Sequence, residues 1–334
     1  MMRMLSGPCS IALVMGFGLA GAAVSTGCSD DTTYPSLPGP RPEGCDRPIA
    51  YDEDDLTADL AYLASPELDG RYPGTQGDVE ARNFIAERFS CLGLEDVGNL
   101  AGYTQSFTND EDEHTANVLA MIPGADPSVA DESIIITAHI DHLGDGYLGA
   151  SDNASGLAAL LAIAQDMTNR NVRPDRTLVF AAVGSEEPGF EGSEYFVTHP
   201  PSGFDPDRIV YNINMDMVGS YDQSGTLYAL GTFEGEPGTT AVSSNTSNHP
   251  GIDVSLGDYS DQSDNVSFCT RGIPYVFFWT EDEECYHERC DTSSRIDFES
   301  LSEIAALTGE VALDLANSTK NLLGNVQHGE DVCY

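Results

Sequence analysis

The chain has 334 residues, of which 55 are Asp or Glu and 14 are Lys or Arg, so its formal net charge is −41. A negative charge of this size repels phosphate backbones and anionic lipid headgroups, which argues against nucleic acid and membrane surfaces as partners. It favours solubility and suits substrates that carry an ammonium group.

The first 27 residues are organised like a secretory signal peptide. Arg3 precedes an apolar stretch that glycines interrupt, and small residues follow before Cys28. The sequence STGC at 25–28 is similar to a bacterial lipobox, which predicts lipidation of Cys28. Because Ser25 is not the usual aliphatic residue there, cleavage without lipidation is the alternative. We therefore expect an exported protein, either secreted or anchored by lipid to the cell envelope.

Residues 28–50 are rich in Pro, Gly and Asp and lack periodicity, which is typical of an extended tether. The rest of the chain, 51–334, has no internal repeat and no second Pro-rich linker. Its length lies near the top of the range for one domain. The sequence therefore predicts a single large domain at 51–334, which we expect to be monomeric.

Helical and strand-like patterns alternate along this domain. Helices are predicted at 52–65, 78–94, 155–170, 191–199 and 301–319, with a turn-rich loop at 70–77. Strands are predicted at 103–108, 116–122, 133–137, 176–183, 208–215 and 274–280. Because the central strands are almost continuously apolar, we predict an α/β fold with a mostly parallel central sheet and helices on both faces. In such a fold the ligand site lies beyond the carboxyl ends of the strands.

Six cysteines follow the lipobox, and an even number in an exported protein predicts three disulfide bonds. The short separation of Cys285 and Cys290 predicts that these two pair, whereas the sequence leaves the other pairings open. Zinc-thiolate ligation is the rival interpretation, but the chain lacks a CxxC motif.

Metal-capable side chains follow the ends of the central predicted strands. They are His139 and Asp141 after the strand at 133–137, Glu186 and Glu187 after 176–183, Asp216 after 208–215, and His287 after 274–280, with Asp152 just before the helix at 155–170. Imidazole and carboxylate groups suit zinc, and a bridging carboxylate can hold two ions about 3.5–4 Å apart. We predict a two-metal site with five ligands, which are His139, Asp152, Glu187, Asp216 and His287.

The carboxylate of Glu186 is adjacent to a predicted ligand but is not needed as one. We therefore predict that it takes the proton from a water held between the metals. Tyr286 precedes His287 and is predicted to face the same site. His142 is expected to be structural or to support the ligands. Four further histidines lie outside any motif and are expected on the surface, namely His114, His199, His249 and His328.

Several segments resemble the ordered motifs of the double-zinc aminopeptidases of peptidase clan MH, in particular the secreted bacterial aminopeptidase S and leucyl aminopeptidase group. The segments are AHIDHLG (138–144), GASDNASG (149–156), GSEEPGFEGSEYF (184–196), NINMDMVG (212–219), SDNVSF (263–268) and CYHERCD (285–291). The resemblance extends from about residue 53 to the end of the chain. It implies that 51–334 is a zinc peptidase domain that removes N-terminal residues from peptides or proteins.

The resemblance also implies a role for each site residue. His139 and Asp216 would bind one zinc ion, Glu187 and His287 the other, and Asp152 would bridge them. Glu186 would be the general base, Tyr286 would stabilise the oxyanion, and Asp141 would orient His139. The Asp152–Asn153 peptide bond would be cis. Asn265 replaces the His of the frequent SDH form, which leaves the substrate wall there undefined.

Other functions remain open at this point. A carboxypeptidase or dipeptidase on the same fold would need a cationic clamp for the substrate carboxylate, for which Arg271 is a candidate. A glutaminyl cyclase would use one metal ion, and a non-catalytic binding domain would have lost ligands. Divalent metals other than zinc could occupy the site, and the acidic run at 109–114 leaves calcium binding undecided.

Overall fold

The computed structural model describes residues 51–327 and Cys333, all of which belong to one compact unit. The predicted signal peptide, the tether and Cys28 lie outside the described residues. Within the described residues, no helix combines the length and the apolar character that a membrane span requires.

The domain alternates helices and strands, as the sequence patterns predict. The α-helices are α1 (Glu53–Leu63), α2 (Gln76–Leu92), α3 (Gly156–Asn169), α4 (Glu191–Thr198), α5 (Tyr221–Ser224), α6 (Pro237–Thr246), α7 (Asn265–Cys269) and α8 (Phe298–Ala316). The strands are β1 (Glu95–Asp96), β2 (Thr104–Thr108), β3 (His114–Ile122), β4 (Ser133–His139), β5 (Thr177–Val183), β6 (Ile209–Met215), β7 (Leu227–Leu230), β8 (Val254–Gly257) and β9 (Tyr275–Trp279). The segments β1, β7, β8, α5, α6 and α7 were not predicted.

The strands form one sheet in the order β1-β3-β5-β4-β6-β9-β7-β8, with β2 beside β3. Its centre, β5-β4-β6-β9, is parallel. The flanking strands β3 and β7 pair antiparallel with β5 and β9. The α/β fold is therefore confirmed, with a sheet that is mixed overall and parallel in the four strands that carry the site.

Burial of the sheet on both faces explains why the sequences of the central strands are continuously apolar. Every residue of β4, β5 and β6 is buried, because helices cover the sheet. Helices α1, α2, α3 and α8 pack against one another, and α4 packs separately against α7. A strand buried on both faces shows no alternation of apolar and polar residues.

Side-chain caps account for the positions of two helix starts. The Thr75 hydroxyl accepts a hydrogen bond from the Asp78 N–H, so α2 begins at Gln76 rather than at the predicted residue 78. The Asp297 carboxylate accepts from the Ser300 N–H, so α8 begins three residues before the predicted start at 301.

Two disulfide bonds join pairs of described cysteines in the domain. The predicted Cys285–Cys290 bond is present and closes the segment just after β9. Cys269 bonds to Cys333 and holds the C-terminal segment against α7 and β9. Cys91 is also disulfide-bonded.

Candidate metal centre

The parallel strands deliver the metal-capable side chains to one edge of the sheet. His139 is the last residue of β4, Asp216 follows β6 directly, and Glu187 lies four residues after β5. His287 follows β9 within the disulfide-closed segment. Asp152 lies in a π-helical turn, Ala150–Ser155, just before α3, and its peptide bond to Asn153 is cis. Parallel strands end at a common edge, so these five residues converge.

The carboxylate of Asp152 is the centre of the cluster. Its Oδ1 lies 3.1 Å from His139 Nε2, and its Oδ2 lies 3.2 Å from His287 Nε2. On one side, His139 Nε2 is also 3.2 Å from Asp216 Oδ1. On the other side, His287 Nε2 is 3.1 Å from Glu187 Oε2. Asp152 therefore has one imidazole and one further carboxylate on each side.

The loop after β4 orients the first of these imidazoles. His139 Nδ1 lies 3.0 Å from the main-chain carbonyl oxygen of Asp141. Because a carbonyl only accepts, Nδ1 carries the hydrogen and leaves the lone pair of Nε2 directed at the carboxylates. The Asp141 carboxylate instead accepts from the main-chain N–H groups of Glu186 and Glu187, at 2.9 and 3.2 Å. Asp141 thus contacts His139 through its main chain and positions the two glutamates with its side chain.

His142 faces the cluster as well. Its Nδ1 lies 2.7 Å from Glu187 Oε1 and 3.7 Å from Asp152 Oδ2, and the side chain is fully buried. Its Nε2 is buried without a hydrogen-bond partner. Among the described residues, the groups of three or more metal-capable side chains are His139, Glu186 and Asp216, and His142, Asp152 and Glu187. The acidic run at 109–114 is not among them.

Arg71 supports the loop that carries the ligands, a role the sequence analysis missed. Its guanidinium is fully buried and donates to main-chain carbonyl oxygens at Ile140, 2.6 Å, and at Gly149, 3.0 Å. It also donates to Leu63 and Leu148. The loop between His139 and Asp152 is therefore held by one side chain from the turn-rich segment after α1, and no local sequence signal marks this contact.

Asp291 links two ligand-bearing segments. It is 2% exposed, and its carboxylate accepts from the Ser151 N–H at 2.7 Å and from the Asp152 N–H at 3.1 Å. Because Asp291 follows Cys290 directly, it ties the segment of His287 to the turn of Asp152. The motif CYHERCD contains this residue, but only the fold reveals its partners.

Crowding of buried carboxylates perturbs the proton affinities at this edge. Burial raises the pKa of Glu186 well above its ordinary value, and the charge of Asp216 adds to the effect. Burial raises the pKa of Asp264 to about 7 and that of Asp141 to about 6. Hydrogen bonds from His287 to the carboxylates of Asp152 and Glu187 raise the pKa of His287 to about 10. The cluster therefore attracts positive charge, as protons or as cations.

A cavity of about 350 Å³ opens beside the cluster. Glu186 lines it, is 7% exposed, and has no side-chain hydrogen bond to a described residue. Tyr286 lines it too, is 52% exposed, and stacks on His287 with ring centroids 3.9 Å apart. The cavity thus adjoins both predicted catalytic residues.

Other residues singled out in the sequence lie elsewhere. His249, expected on the surface, is 7% exposed because α8 covers it. Its ring nitrogens lie 3.2 Å from Glu303 and 3.3 Å from Glu310. His114 and His199 are exposed as expected, and His328 lies outside the described residues. Arg271 does not line the cavity beside the cluster.

A parallel sheet that brings imidazole and carboxylate groups to one edge defines a class of metal-dependent hydrolases. Residues 117–312, more than half of the chain, match the peptidase family M28. The chain belongs to this family.

Three known proteins illustrate the relationship. The chain is 24% identical to Leupeptin-inactivating enzyme 1 of Streptomyces exfoliatus over 312 residues, which cover 87% of this chain and 67% of that protein. It is 31% identical to Aminopeptidase YwaD of Bacillus subtilis over 195 residues, which cover 56% of this chain and 42% of that protein. The solved structure of BSAP, a zinc aminopeptidase from Bacillus subtilis, matches with a TM-score of 0.67 at 17% identity and covers 84% of this chain and 99% of that chain. This structural likeness agrees with the α/β fold.

Proposed function

We propose that the chain is an aminopeptidase that uses two zinc ions to hydrolyse the N-terminal peptide bond of peptides. The observation that carries the proposal is the position of Asp152, whose two carboxylate oxygens each contact a separate imidazole, while each imidazole contacts one further carboxylate. Membership of a peptidase family and likeness to proteins named aminopeptidases support it.

The residues at this edge fit a pair of divalent cations. Asp152, Glu186 and Asp216 are nine-tenths or more buried. Glu186 and Asp216 offer oxygens within 4.8 Å of one another, and Asp152 and Asp216 contact the same nitrogen of His139, so the repulsion between these carboxylates needs positive charge to offset it. The donor set of imidazole and carboxylate is one that zinc prefers. The lone pair of His139 Nε2 already points at the carboxylates because Nδ1 is engaged.

Distances between donor atoms divide the residues between two ions. Ligand atoms at about 2.0–2.2 Å from one tetrahedral zinc ion lie about 3.3 Å apart. The contacts of His139 with Asp152 and Asp216, at 3.1 and 3.2 Å, match this spacing. So do the contacts of His287 with Asp152 and Glu187, at 3.2 and 3.1 Å. We assign His139 and Asp216 to one ion, Glu187 and His287 to the other, and Asp152 to both.

His142 is assigned a different role. Its Nδ1 lies 2.7 Å from Glu187 Oε1, which is a hydrogen-bond distance and shorter than the spacing of two ligands on one ion. It contacts the Glu187 oxygen that does not face His287. We propose that His142 donates to Glu187 and fixes the orientation of that ligand.

Two zinc ions, when bound, supply a water of lowered pKa and polarise the scissile carbonyl. The rest of the chemistry falls to side chains that line the cavity. Glu186 accepts the proton of the attacking water at its carboxylate, which lines the cavity and has no side-chain hydrogen bond to a described residue. It then delivers the proton to the leaving amine.

We assign to Tyr286 the stabilisation of the negative charge that develops on the carbonyl oxygen. Burial and the carboxylates of Asp152 and Glu187 raise the pKa of its phenol above the ordinary value, so the hydroxyl stays protonated and can donate. The stacking on His287 holds the ring at the mouth of the cavity.

The lining of the cavity favours the amino end of the substrate over its carboxyl end. None of the described residues that line it is Arg or Lys, so the clamp that a carboxypeptidase needs is absent from this wall. Carboxylates that line it can instead receive an ammonium group. Arg271, the candidate clamp, does not contribute to the wall.

A panel of aminoacyl-nitroanilides, assayed with and without a chelator, tests the proposal. We expect turnover that the chelator abolishes and that zinc restores, together with cleavage of C-terminally blocked but not N-terminally blocked peptides. Metal analysis is expected to give two zinc ions per chain. One tightly bound ion and cyclisation of N-terminal glutamine would indicate a glutaminyl cyclase instead, and cleavage of only N-terminally blocked peptides would indicate a carboxypeptidase.

We also propose that the protein is exported and that its mature chain begins at or near Cys28. The proposal rests on the sequence of residues 1–28. Mass spectrometry of the N-terminal peptide from cell envelope and culture medium distinguishes a lipidated Cys28 from an unmodified secreted chain. Retention of residues 1–27 in the mature protein would contradict export.

A further inference from the structure

The cavity beside the metal centre has two chemically distinct parts. Its walls include the apolar side chains of Met217, Phe277 and Trp279. Its lining also includes Gln262 and, from the segment after β9, Glu281 and Glu283. Glu186 lines the same space, so a residue bound with its carbonyl near Glu186 would have its side chain in a cavity that offers both apolar surface and carboxylates.

The two glutamates are not neutralised by the protein. Asp282 and Glu284, their sequence neighbours, pair with Arg295 at 3.3 and 3.4 Å. Within the described residues, Glu281 and Glu283 have no ion pair, and no Arg or Lys lines the cavity. Because both line the cavity and are also partly open to solvent, their charge is available to a cation bound there. The buried, unpaired carboxylate of Glu186 at the base of the same space independently indicates that a ligand belongs there.

Apolar and aromatic walls next to free carboxylates match one kind of amino-acid side chain. The methylene stem of Lys or Arg packs on apolar and aromatic surface, while its charged end seeks carboxylates. An apolar side chain would leave the two carboxylates without a partner, and an acidic one would be repelled by them.

We propose that this cavity selects substrates whose N-terminal residue is Arg or Lys, with Glu281 and Glu283 contacting the cationic end and Met217, Phe277 and Trp279 contacting the stem. The inference rests on the proposed aminopeptidase function and names its substrate class. Glu281 and Glu283 are specificity residues here, separate from the centre that carries out hydrolysis.

The test compares arginine with citrulline, which has nearly the same shape and no charge. Both nitroanilides carry the same α-ammonium group, so the ratio of their kcat/KM values reports only on the side chain. We expect the zinc-loaded enzyme to favour arginine about tenfold, as one charge-assisted contact supplies. Added NaCl should lower the ratio because the glutamates are partly exposed.

Substitution then locates the source of the preference. In the double variant Glu281→Gln, Glu283→Gln the ratio is expected to fall to about one. Glu284→Gln removes an equal charge from the same segment outside the cavity and is expected to keep the ratio. A ratio near one in the unmodified enzyme, or a ratio that survives the double substitution, would overturn the inference. The second outcome would show that the glutamates bind another part of the substrate, such as the α-ammonium group.

Binding without turnover separates this inference from the proposed function. Trp279 is the only tryptophan of the chain, so its fluorescence reports on occupation of the cavity. Free arginine, which has no bond to cleave, is expected to bind about tenfold more tightly than free citrulline. If no nitroanilide is hydrolysed but this difference is present, the proposed function fails and the cation site stands; equal affinities would refute the cation site even in an active enzyme.

Discussion

At the scale of single residues, the site separates the groups that we assign as metal ligands from the groups that hold them in place. Glu186 and Glu187 are neighbours in sequence, yet their carboxylates differ in environment. Glu187 contacts two histidines, whereas Glu186 lines the cavity without a side-chain partner among the described residues. The Asp141 carboxylate accepts hydrogen bonds from the main-chain N–H groups of both residues. It therefore fixes the backbone from which the two side chains reach different surroundings.

Glu186→Gln is predicted to lower kcat about 10²–10⁴-fold while zinc content is unchanged, because the amide keeps the shape of the side chain and cannot accept the proton. Steady-state kinetics and metal analysis on the same preparation test this. Glu194→Gln, a neutralisation at an exposed position of α4, is the control and is expected to be fully active. Full activity of Glu186→Gln would exclude the assigned base.

Asp291→Ala is predicted to weaken zinc binding about 10–100-fold, because the N–H groups of Ser151 and Asp152 lose their acceptor and the bridging carboxylate loses its fixed position. Competition with a chromophoric chelator measures the affinity, and the visible spectrum of the cobalt-substituted protein reports the geometry. Glu288→Ala, at an exposed position of the same segment, serves as the control. An unchanged affinity and spectrum would limit Asp291 to a role in folding.

At the scale of elements, the disulfide-closed segment after β9 carries more of the site than any strand. It brings His287 and Tyr286 to the centre, and Asp291 follows it directly. The Cys269–Cys333 bond, by contrast, packs against Tyr275 and Phe277 of β9 and holds none of the predicted metal ligands. The Cys285–Cys290 bond therefore constrains the segment that carries site residues, whereas the Cys269–Cys333 bond constrains the region beside β9.

Removal of each disulfide bond by paired Ser substitutions is predicted to reduce stability more in one variant and activity more in the other. In the chain-entropy description, the Cys269–Cys333 bond, with a separation of 64 residues, contributes about 4 kcal/mol, and Cys285–Cys290, with a separation of 5, contributes about 2 kcal/mol. We expect the larger loss of unfolding free energy from Cys269→Ser, Cys333→Ser and the larger loss of kcat/KM from Cys285→Ser, Cys290→Ser. Denaturant unfolding and kinetics measure both, and the opposite ranking in activity would contradict the assignment.

At the scale of the whole molecule, the negative charge and the buried carboxylates make the stability of the fold depend on the binding of protons and metal ions. The folded, metal-free protein binds protons more tightly than the unfolded chain at Asp264, with a pKa of about 7, and at Asp141 and Asp291, with pKa values of about 6. The ordinary pKa of an aspartate carboxyl group is 3.8. Their contribution to stability is complete below that value and is lost as the pH rises through 6 to 7.

The metal-free protein is therefore predicted to have a higher Tm at pH 5.5 than at pH 8. His287, with a pKa of about 10, acts in the same direction, because its stabilising charge is lost as the pH rises through that value. Zinc requires deprotonated ligands, so the increase in Tm on adding zinc should be larger at pH 8. Thermal unfolding with a chelator and with zinc tests both statements, and a chelated Tm that rises from pH 5.5 to pH 8 would contradict them.

The sequence by itself determined the class of fold and the residues that converge on the centre. The apolar runs that became β4, β5, β6 and β9 mark buried parallel strands, and His139, Glu187, Asp216 and His287 lie at the ends of those strands or within eight residues after them. This information is local, because the period of apolar residues and the turn after each strand are set by near neighbours. The Cys285–Cys290 bond was predictable for the same reason.

Only the tertiary structure decided how the ligands are held and what the cavity accepts. The contacts of Arg71 with Gly149, of Asp291 with Asp152, and of His142 with Glu187 join residues that are 78, 139 and 45 positions apart. The antiparallel flanks of the sheet and the short strands β7 and β8 likewise depend on pairing between distant segments. Contacts of this kind follow from the order of strands in the sheet, and the periodicity of a single sequence does not encode that order.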